Sequence, residues 1–228
     1  KISWSSHHSV RGPVRAIVLR FPGLGSAGMR DSADVTELEL ADRGVLTVWV
    51  YQDPWGWMND ATRDLYDAVV TGLRARLRLP DELPLIASGG SMGGHAALTY
   101  AFTSRLRVTA CHANCPVCDL PFHCTERPDL PRTMHHAFGS YDDINGPLVA
   151  HSPLHQVARL PDIPYQIFHG AKDRAVGKAN HSDPLVAAMR QRGLNVEYHE
   201  APDMGHCAPL TYALYRRSLD FVCEQIPT

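Results

Sequence analysis

The sequence lacks a long apolar run, a strong excess of either charge and any internal repeat. No stretch approaches the roughly 20 apolar residues that a membrane-spanning helix needs. The 22 basic and 24 acidic residues leave a formal charge of −2. This balance argues against a nucleic acid or an anionic membrane as partner, because both attract a basic face. The first eleven residues have no apolar segment like that of a signal peptide. We therefore expect a cytoplasmic protein, although a processed precursor would also have lost such a segment.

Cysteine is too sparse for a disulfide framework, with six residues in a chain of 228. A chain of this length can bury a sizeable core without covalent bridges, so we expect mostly free thiols. Four of the cysteines lie within residues 111–124, where Cys115 and Cys118 form a C-x-x-C pair close to His123. Such a pair suits zinc or a redox function. A well-separated second ligand pair is missing, so we expect no metal and no other cofactor.

Apolar runs rich in β-branched residues alternate with helix-like segments along the whole chain. Strands are predicted at 14–21, 45–51, 85–88, 107–112, 164–169 and 196–200, and helices at 32–43, 59–78, 92–104, 182–192 and 210–226. This order predicts an α/β fold with a mainly parallel sheet and helices on both faces, in a single domain spanning 1–228. Residues 113–160 lose the periodicity and are too many for an idle loop, so we predict a cap or lid insertion there.

Three residues with complementary chemistry each follow a predicted strand. Ser91 stands between Gly89 and Gly93 in G-x-S-x-G, the spacing of a nucleophile on a strand-to-helix turn. Asp173 follows the fifth predicted strand, within HGAKD, and His206 follows the sixth, within PDMGH. Ligand sites in such sheets lie at the carboxyl ends of the strands. A serine nucleophile needs a base, which histidine supplies, and a carboxylate fixes the tautomer of that histidine. We predict these three roles for Ser91, His206 and Asp173.

Acyl transfer by a serine also requires backbone donors for the developing oxyanion. The residue after the nucleophile usually supplies one donor, which here is the N–H of Met92. The turn after the first predicted strand, FPGLGSAG, should supply the other, with Leu24 as first candidate and Gly25 as second. Trp55 and Trp57 follow the second predicted strand and should lie beside this turn. They are candidates for the substrate pocket, with packing in the core or cap as the alternative.

These motifs together resemble the α/β-hydrolase superfamily, and within it the prolyl-oligopeptidase-like and dienelactone-hydrolase-like branch. The resemblance runs from about residue 14 to residue 221 and is most specific in HGAKDRAV, RGLNVEYHEAP and MGH. It implies an α/β-hydrolase fold and the same three catalytic residues. The first turn begins Phe21-Pro22-Gly23, where relatives often have His-Gly, so the sequence departs from the pattern at the second oxyanion donor.

The residues and the resemblance predict a serine hydrolase that cleaves small-molecule carboxylic esters through an acyl-enzyme. Peptidases of this branch carry a β-propeller before the hydrolase domain, and 228 residues leave no room for one. That favours an esterase-like activity over oligopeptide cleavage. Three alternatives stay open. The first is a peptidase or amidase with the same three residues, the second is a non-catalytic binding protein on a hydrolase scaffold, and the third is a thiol or metal module in the cap.

Overall fold

A mostly parallel sheet lies at the centre of the protein. The computed structural model describes residues 2–139, 143–208 and 210–227. Within these ranges the sheet has seven strands: β1 (Ser3–Ser5), β2 (Ala16–Phe21), β3 (Val45–Val50), β4 (Leu85–Gly90), β5 (Ala110–Asn114), β6 (Tyr165–Gly170) and β7 (Val196–Ala201). Their order is β1-β3-β2-β4-β5-β6-β7. Only β1 runs antiparallel to its neighbour among these strands, so the prediction of a mainly parallel sheet is confirmed.

Helices pack on both faces of the sheet, as the alternating pattern predicts. They are α1 (Val35–Ala41), α2 (Asp60–Leu77), α3 (Met92–Thr103), α4 (Leu120–Glu126), α5 (Leu130–Phe138), α6 (Asn145–Ala150), α7 (Ser182–Gln191) and α8 (Tyr212–Glu224). Because side chains alternate along a strand, β2 contributes Ile17 and Leu19 to a core with α2, α3 and α7. The same strand contributes Ala16 and Val18 to a second core with α1 and α8. No helix within the described ranges is long and apolar enough to cross a bilayer.

Several strand ends differ by one to three residues from the sequence prediction, and β4 and β5 show the physical reason most clearly. The strand expected at 107–112 instead occupies Ala110–Asn114, and the one expected at 85–88 continues to Gly90. Both shifts follow from pairing, since Gly89 lies opposite Phe21 of β2 and Gly90 lies opposite Asn114 of β5. Glycines carry no β-strand signal, so the sequence pattern ends too early. The short β1 was missed altogether.

The segment between β5 and β6, residues 115–164, is not irregular as its lack of periodicity suggested. It carries α4, α5 and α6 and a short 3₁₀ turn at Val157–Arg159. Each of these helices is only six to nine residues long, and α4 and α5 begin with a proline in their first turn. Such helices are too short to show a clear 3.6-residue repeat. The prediction for residues 140–142 lies outside the described residues.

Candidate active site

Ser91 occupies a strained turn between β4 and α3. Its backbone has φ +58° and ψ −125°, a conformation that is costly for any residue with a side chain. A Cβ on Gly89 would stand 2.4 Å from the carbonyl oxygen of Gly93, and a Cβ on Gly93 would stand 2.1 Å from that of Phe21. Glycine at both positions therefore lets the turn close. The N–H of Ser91 donates to Asn114 in the neighbouring strand at 2.9 Å.

The structure brings the three predicted residues into one hydrogen-bonded row. The imidazole of His206 is 2.8 Å from the hydroxyl of Ser91 through Nε2 and 2.7 Å from a carboxylate oxygen of Asp173 through Nδ1. The three residues follow three different strands at the same edge of the sheet. Ser91 comes after β4, Asp173 after β6 and His206 after β7. Parallel topology thus converts large sequence separations into direct contacts.

Asp173 is buried, with 9% of its surface exposed, and its carboxylate is fully hydrogen-bonded. One oxygen accepts the backbone N–H groups of Ala175 and Val176, each at 2.9 Å. The other accepts from His206 and lies 3.4 Å from Nε2 of His169. Burial alone would raise the pKa of Asp173, but the hydrogen bonds from the two imidazoles and the backbone outweigh it and hold the pKa far below its usual range. The ionised carboxylate keeps a proton on Nδ1 of His206, which leaves Nε2 free to accept one from Ser91.

His169 supports the carboxylate from behind, a role that the sequence analysis did not assign. It is fully buried, and its Nδ1 accepts from the hydroxyl of Ser182 at 2.6 Å. Its Nε2 faces the carbonyl of Val176 at 2.8 Å as well as Asp173, so the proton is on Nε2. Burial lowers the pKa of His169, but the adjacent Asp173 raises it above its ordinary value overall. The available sequence signal was the His-Gly pair that opens the HGAKD motif, in which the histidine stands four residues before Asp173.

The two proposed oxyanion donors lie on different turns, Leu24 after β2 and Met92 after β4. Neither the N–H of Leu24 nor that of Met92 has an acceptor among the described residues. The N–H of Gly25, the second candidate, instead donates to the carbonyl of Pro54 at 3.0 Å. Leu24 lines the same cavity as Ser91. Leu24 and Met92 therefore remain the candidate pair, while Gly25 is already engaged.

A cavity of about 520 Å³ opens in front of Ser91 and His206. Trp57 forms part of its wall, is 1% exposed and donates from its indole to the hydroxyl of Thr133 at 3.0 Å. Trp55 lies outside the residues that line this cavity and contacts His136 at a ring distance of 5.5 Å. Of the two tryptophans predicted for the pocket, the structure brings only Trp57 to it.

The C-x-x-C sulfurs have different surroundings. All six cysteines are free, and Cys115 lies against Cys207, next to the proposed base. The thiol of Cys118 instead donates to the carbonyl of Pro116 at 3.4 Å. In the described part of the chain, Cys118 belongs to no group of side chains that is close enough together to hold a metal ion. The two cysteines therefore do not form one half of a shared site.

A second cluster of titratable residues adjoins the cavity at α4. The carboxylate of Glu126 bonds Nδ1 of His123 at 2.5 Å and Nε2 of His181 at 2.9 Å. Nδ1 of His181 accepts the backbone N–H groups of Cys118 and Asp119, so the proton of this ring is on Nε2. Nε2 of His181 thus has no lone pair to offer a metal, and the group is a hydrogen-bonded cluster. Sequence reasoning missed it, although His123 and Glu126 stand three residues apart.

Comparisons with known proteins give this site a context. Residues 56–227 match the family model described as the prolyl oligopeptidase family. Among solved structures, the acylaminoacyl peptidase of Pyrococcus horikoshii superposes with a TM-score of 0.76 at 14% identity, covering 98% of this chain and 39% of that one. A puromycin-hydrolysing peptidase of Mycobacterium tuberculosis gives a TM-score of 0.76 at 17% identity, covering 93% and 34%.

An esterase of similar size also shares the architecture. The esterase PE8 superposes with a TM-score of 0.62 at 15% identity and covers 95% of both chains. By contrast, this chain covers 39% and 34% of the two peptidases named above, so it spans well under half of their length. At such identities these likenesses concern the fold, and the predicted α/β-hydrolase fold is confirmed. None of the curated proteins compared with the chain matches it.

Proposed function

The chain belongs to the prolyl oligopeptidase family, and on that premise we propose that it cleaves carboxylic esters of small molecules through an acyl-enzyme at Ser91. The observation that carries this proposal is the continuous row from Asp173 through His206 to Ser91, which ends in a cavity large enough for a small ester. A serine hydroxyl with a base and an oriented carboxylate at these distances is equipped for nucleophilic attack.

The reaction has two half-steps. Oγ of Ser91 attacks the ester carbonyl carbon while Nε2 of His206 takes its proton, and the N–H groups of Met92 and Leu24 hold the oxyanion. His206 then gives this proton to the leaving alkoxide, which departs as the alcohol and leaves the acyl-enzyme. Water attacks the acyl carbonyl, His206 takes the water's proton, and collapse of the second intermediate returns it to Ser91 with release of the acid. Asp173 stabilises the imidazolium in both steps.

Two observations support an ester over a peptide as substrate. None of the residues described around the cavity is acidic, so the wall offers no carboxylate to bind the amino terminus of a peptide. The esterase PE8 is also among the similar structures.

A peptidase or amidase with the same three residues is the second candidate. It is favoured by the similar structures that are described as an acylaminoacyl peptidase and a puromycin-hydrolysing peptidase. The chemistry at Ser91 would be the same, with an amine as leaving group, and the two candidates differ in the relative rates for amide and ester.

The test compares kcat/KM for a chromogenic ester and for an anilide with the same acyl group, over acyl chains of increasing length. We expect ester turnover to exceed anilide turnover clearly and to fall by about 10³-fold or more in Ser91→Ala. A Ser32→Ala variant, at an exposed serine that does not line the cavity, is the matched control and should retain wild-type turnover.

Each result has a definite meaning. Anilide turnover comparable to ester turnover would replace the esterase with the peptidase. Ester hydrolysis that persists in Ser91→Ala would remove Ser91 as nucleophile. Absence of turnover together with absence of fluorophosphonate labelling in the wild type would favour the non-catalytic binding protein.

A further inference from the structure

A second imidazole faces the cavity that holds Ser91. His123 is only 3% exposed, yet it lines this cavity together with Trp57 and Val176. Its Nδ1 is tied to Glu126, while its Nε2 has no hydrogen-bond partner among the described residues. Several polar atoms of the described residues are both fully buried and without a partner, but Nε2 of His123 is not one of them. Nε2 therefore keeps some accessible surface, which we place in the cavity that His123 lines. The ring thus presents one polar atom to whatever binds in front of Ser91.

The hydrogen-bond network behind His123 fixes the orientation of its ring. His181 donates to Glu126 because its other nitrogen accepts two backbone N–H groups. Burial raises the pKa of Glu126, but hydrogen bonds from His123 and His181 outweigh burial and hold that pKa below its ordinary value. The carboxylate of Glu126 therefore occupies Nδ1 of His123 and leaves Nε2 for a group in the cavity. A second carboxylate at Nε2 would place an acid group at each ring nitrogen, and the imidazole would bridge the two as a donor to both.

The charge of the cavity wall matches this donor. Arg20 and Arg127 line the cavity, whereas no Asp or Glu does within the described residues. Arg127 is held in place by a two-pronged contact with Asp129, at 3.0 and 2.6 Å. Arg20 bonds the hydroxyl of Ser88 at 2.9 Å. A cavity with cationic groups and no lining carboxylate favours an anionic occupant.

The mechanism decides which part of the substrate meets His123. The leaving group has to face His206, because His206 protonates it, and the carbonyl oxygen has to face Met92 and Leu24. The acyl chain extends from the carbonyl carbon along the remaining wall, which includes His123, Trp57 and Val176. His123 is therefore available to contact the acyl chain.

We infer that His123, held by Glu126 and His181, selects acyl chains that end in a carboxylate, so that monoesters of dicarboxylic acids are the substrate class. This inference rests on the proposed function, since it assigns the acyl pocket of the same site. A carboxylate at the end of the acyl chain accepts a charge-assisted hydrogen bond from Nε2 of His123, which an uncharged chain cannot do.

The experiment measures kcat/KM for the adipate monoester and the heptanoate ester of one chromogenic alcohol, whose acyl chains are equally long when one carboxylate oxygen is counted in place of the terminal methyl group. We expect the wild type to prefer adipate, and the adipate-to-heptanoate ratio to fall about tenfold or more in His123→Gln. His135→Gln is the matched control, since His135 is an exposed histidine of α5 that does not line the cavity. Its ratio should equal that of the wild type.

A second variant guards against a folding defect in His123→Gln. Glu126→Gln keeps the shape of the side chain but removes the charge behind His123, so the same ratio should fall in the same direction. A wild type that cleaves both esters equally well, or variants that lose both activities in the same proportion, would overturn the inference. If the wild type cleaves neither ester and Ser91 takes no fluorophosphonate, the proposed function itself has failed, and this inference with it.

Discussion

Gly93→Ala tests how the backbone packs around Ser91, because it changes none of the three proposed catalytic residues. The added Cβ would stand 2.1 Å from the carbonyl oxygen of Phe21 and 3.0 Å from that of Pro22. Contacts of a Cβ below 3.0 Å essentially never occur, so the end of β2 and the start of α3 have to separate by roughly 1 Å. The turn that carries Leu24 would move with β2, away from Ser91. A misplacement of about 1 Å costs on the order of 100-fold in rate, so kcat/KM for esters should fall by about that factor.

The assay pairs ester kinetics with urea unfolding. Overpacking at Gly93 should cost about 1–3 kcal/mol of unfolding free energy, which a domain of ordinary stability survives. Gly72→Ala is the matched control, because a Cβ on Gly72 in α2 meets no atom within 4 Å. That variant should keep wild-type activity and gain up to about 1 kcal/mol of stability, because Ala favours the helix more than Gly does. A Gly93→Ala protein with nearly wild-type kcat/KM would refute the reasoning, and so would one that does not fold at all.

Three further predictions concern buried charge and hydrogen bonding. Burial, with a smaller contribution from Arg20, lowers the pKa of His112 to about 3. Between pH 3 and about pH 6.5 the unfolded state binds a proton at His112 that the folded state does not bind, so stability falls as the pH falls. The loss amounts to roughly 2 kcal/mol from pH 7 to pH 5. Urea unfolding of His112→Gln should show a pH dependence that is smaller by this amount. The carboxylate of Asp67 accepts hydrogen bonds from the hydroxyl groups of Tyr100 and Ser104, each at 2.7 Å, so Asp67→Ala should cost about 2–3 kcal/mol in urea unfolding. The control Asp81→Ala, whose side chain is 90% exposed, should change stability by at most about 0.5 kcal/mol. Asp173→Asn should lower kcat about 10⁴-fold in steady-state ester kinetics by favouring the wrong tautomer at the base, and an unchanged kcat would contradict that role.

The sequence was most informative where local motifs coincide with sheet topology. Ser91, Asp173 and His206 each follow an apolar strand, and a parallel sheet brings the ends of such strands to one edge. The glycines around Ser91 are explained by contacts that only the folded backbone creates, yet their spacing was visible in advance. These features could be predicted because each depends on a short stretch of chain and one general rule of strand order.

The segment between β5 and β6 could not be predicted to the same degree. Its helices are short, carry proline in their first turns and pack on one another, so tertiary contacts rather than periodicity determine them. The position of His123 in the cavity wall depends on Glu126, and Glu126 in turn contacts His181, 55 residues further along the chain. No local pattern contains that contact.

The central claim, that Ser91 is made nucleophilic by His206 and Asp173, is tested most directly by labelling with a fluorophosphonate and locating the adduct by peptide mass spectrometry. We predict one adduct per chain, on Ser91, and a labelling rate that falls steeply in His206→Gln. An unlabelled wild type, an adduct on another residue, or a labelling rate that is the same in His206→Gln would contradict the claim.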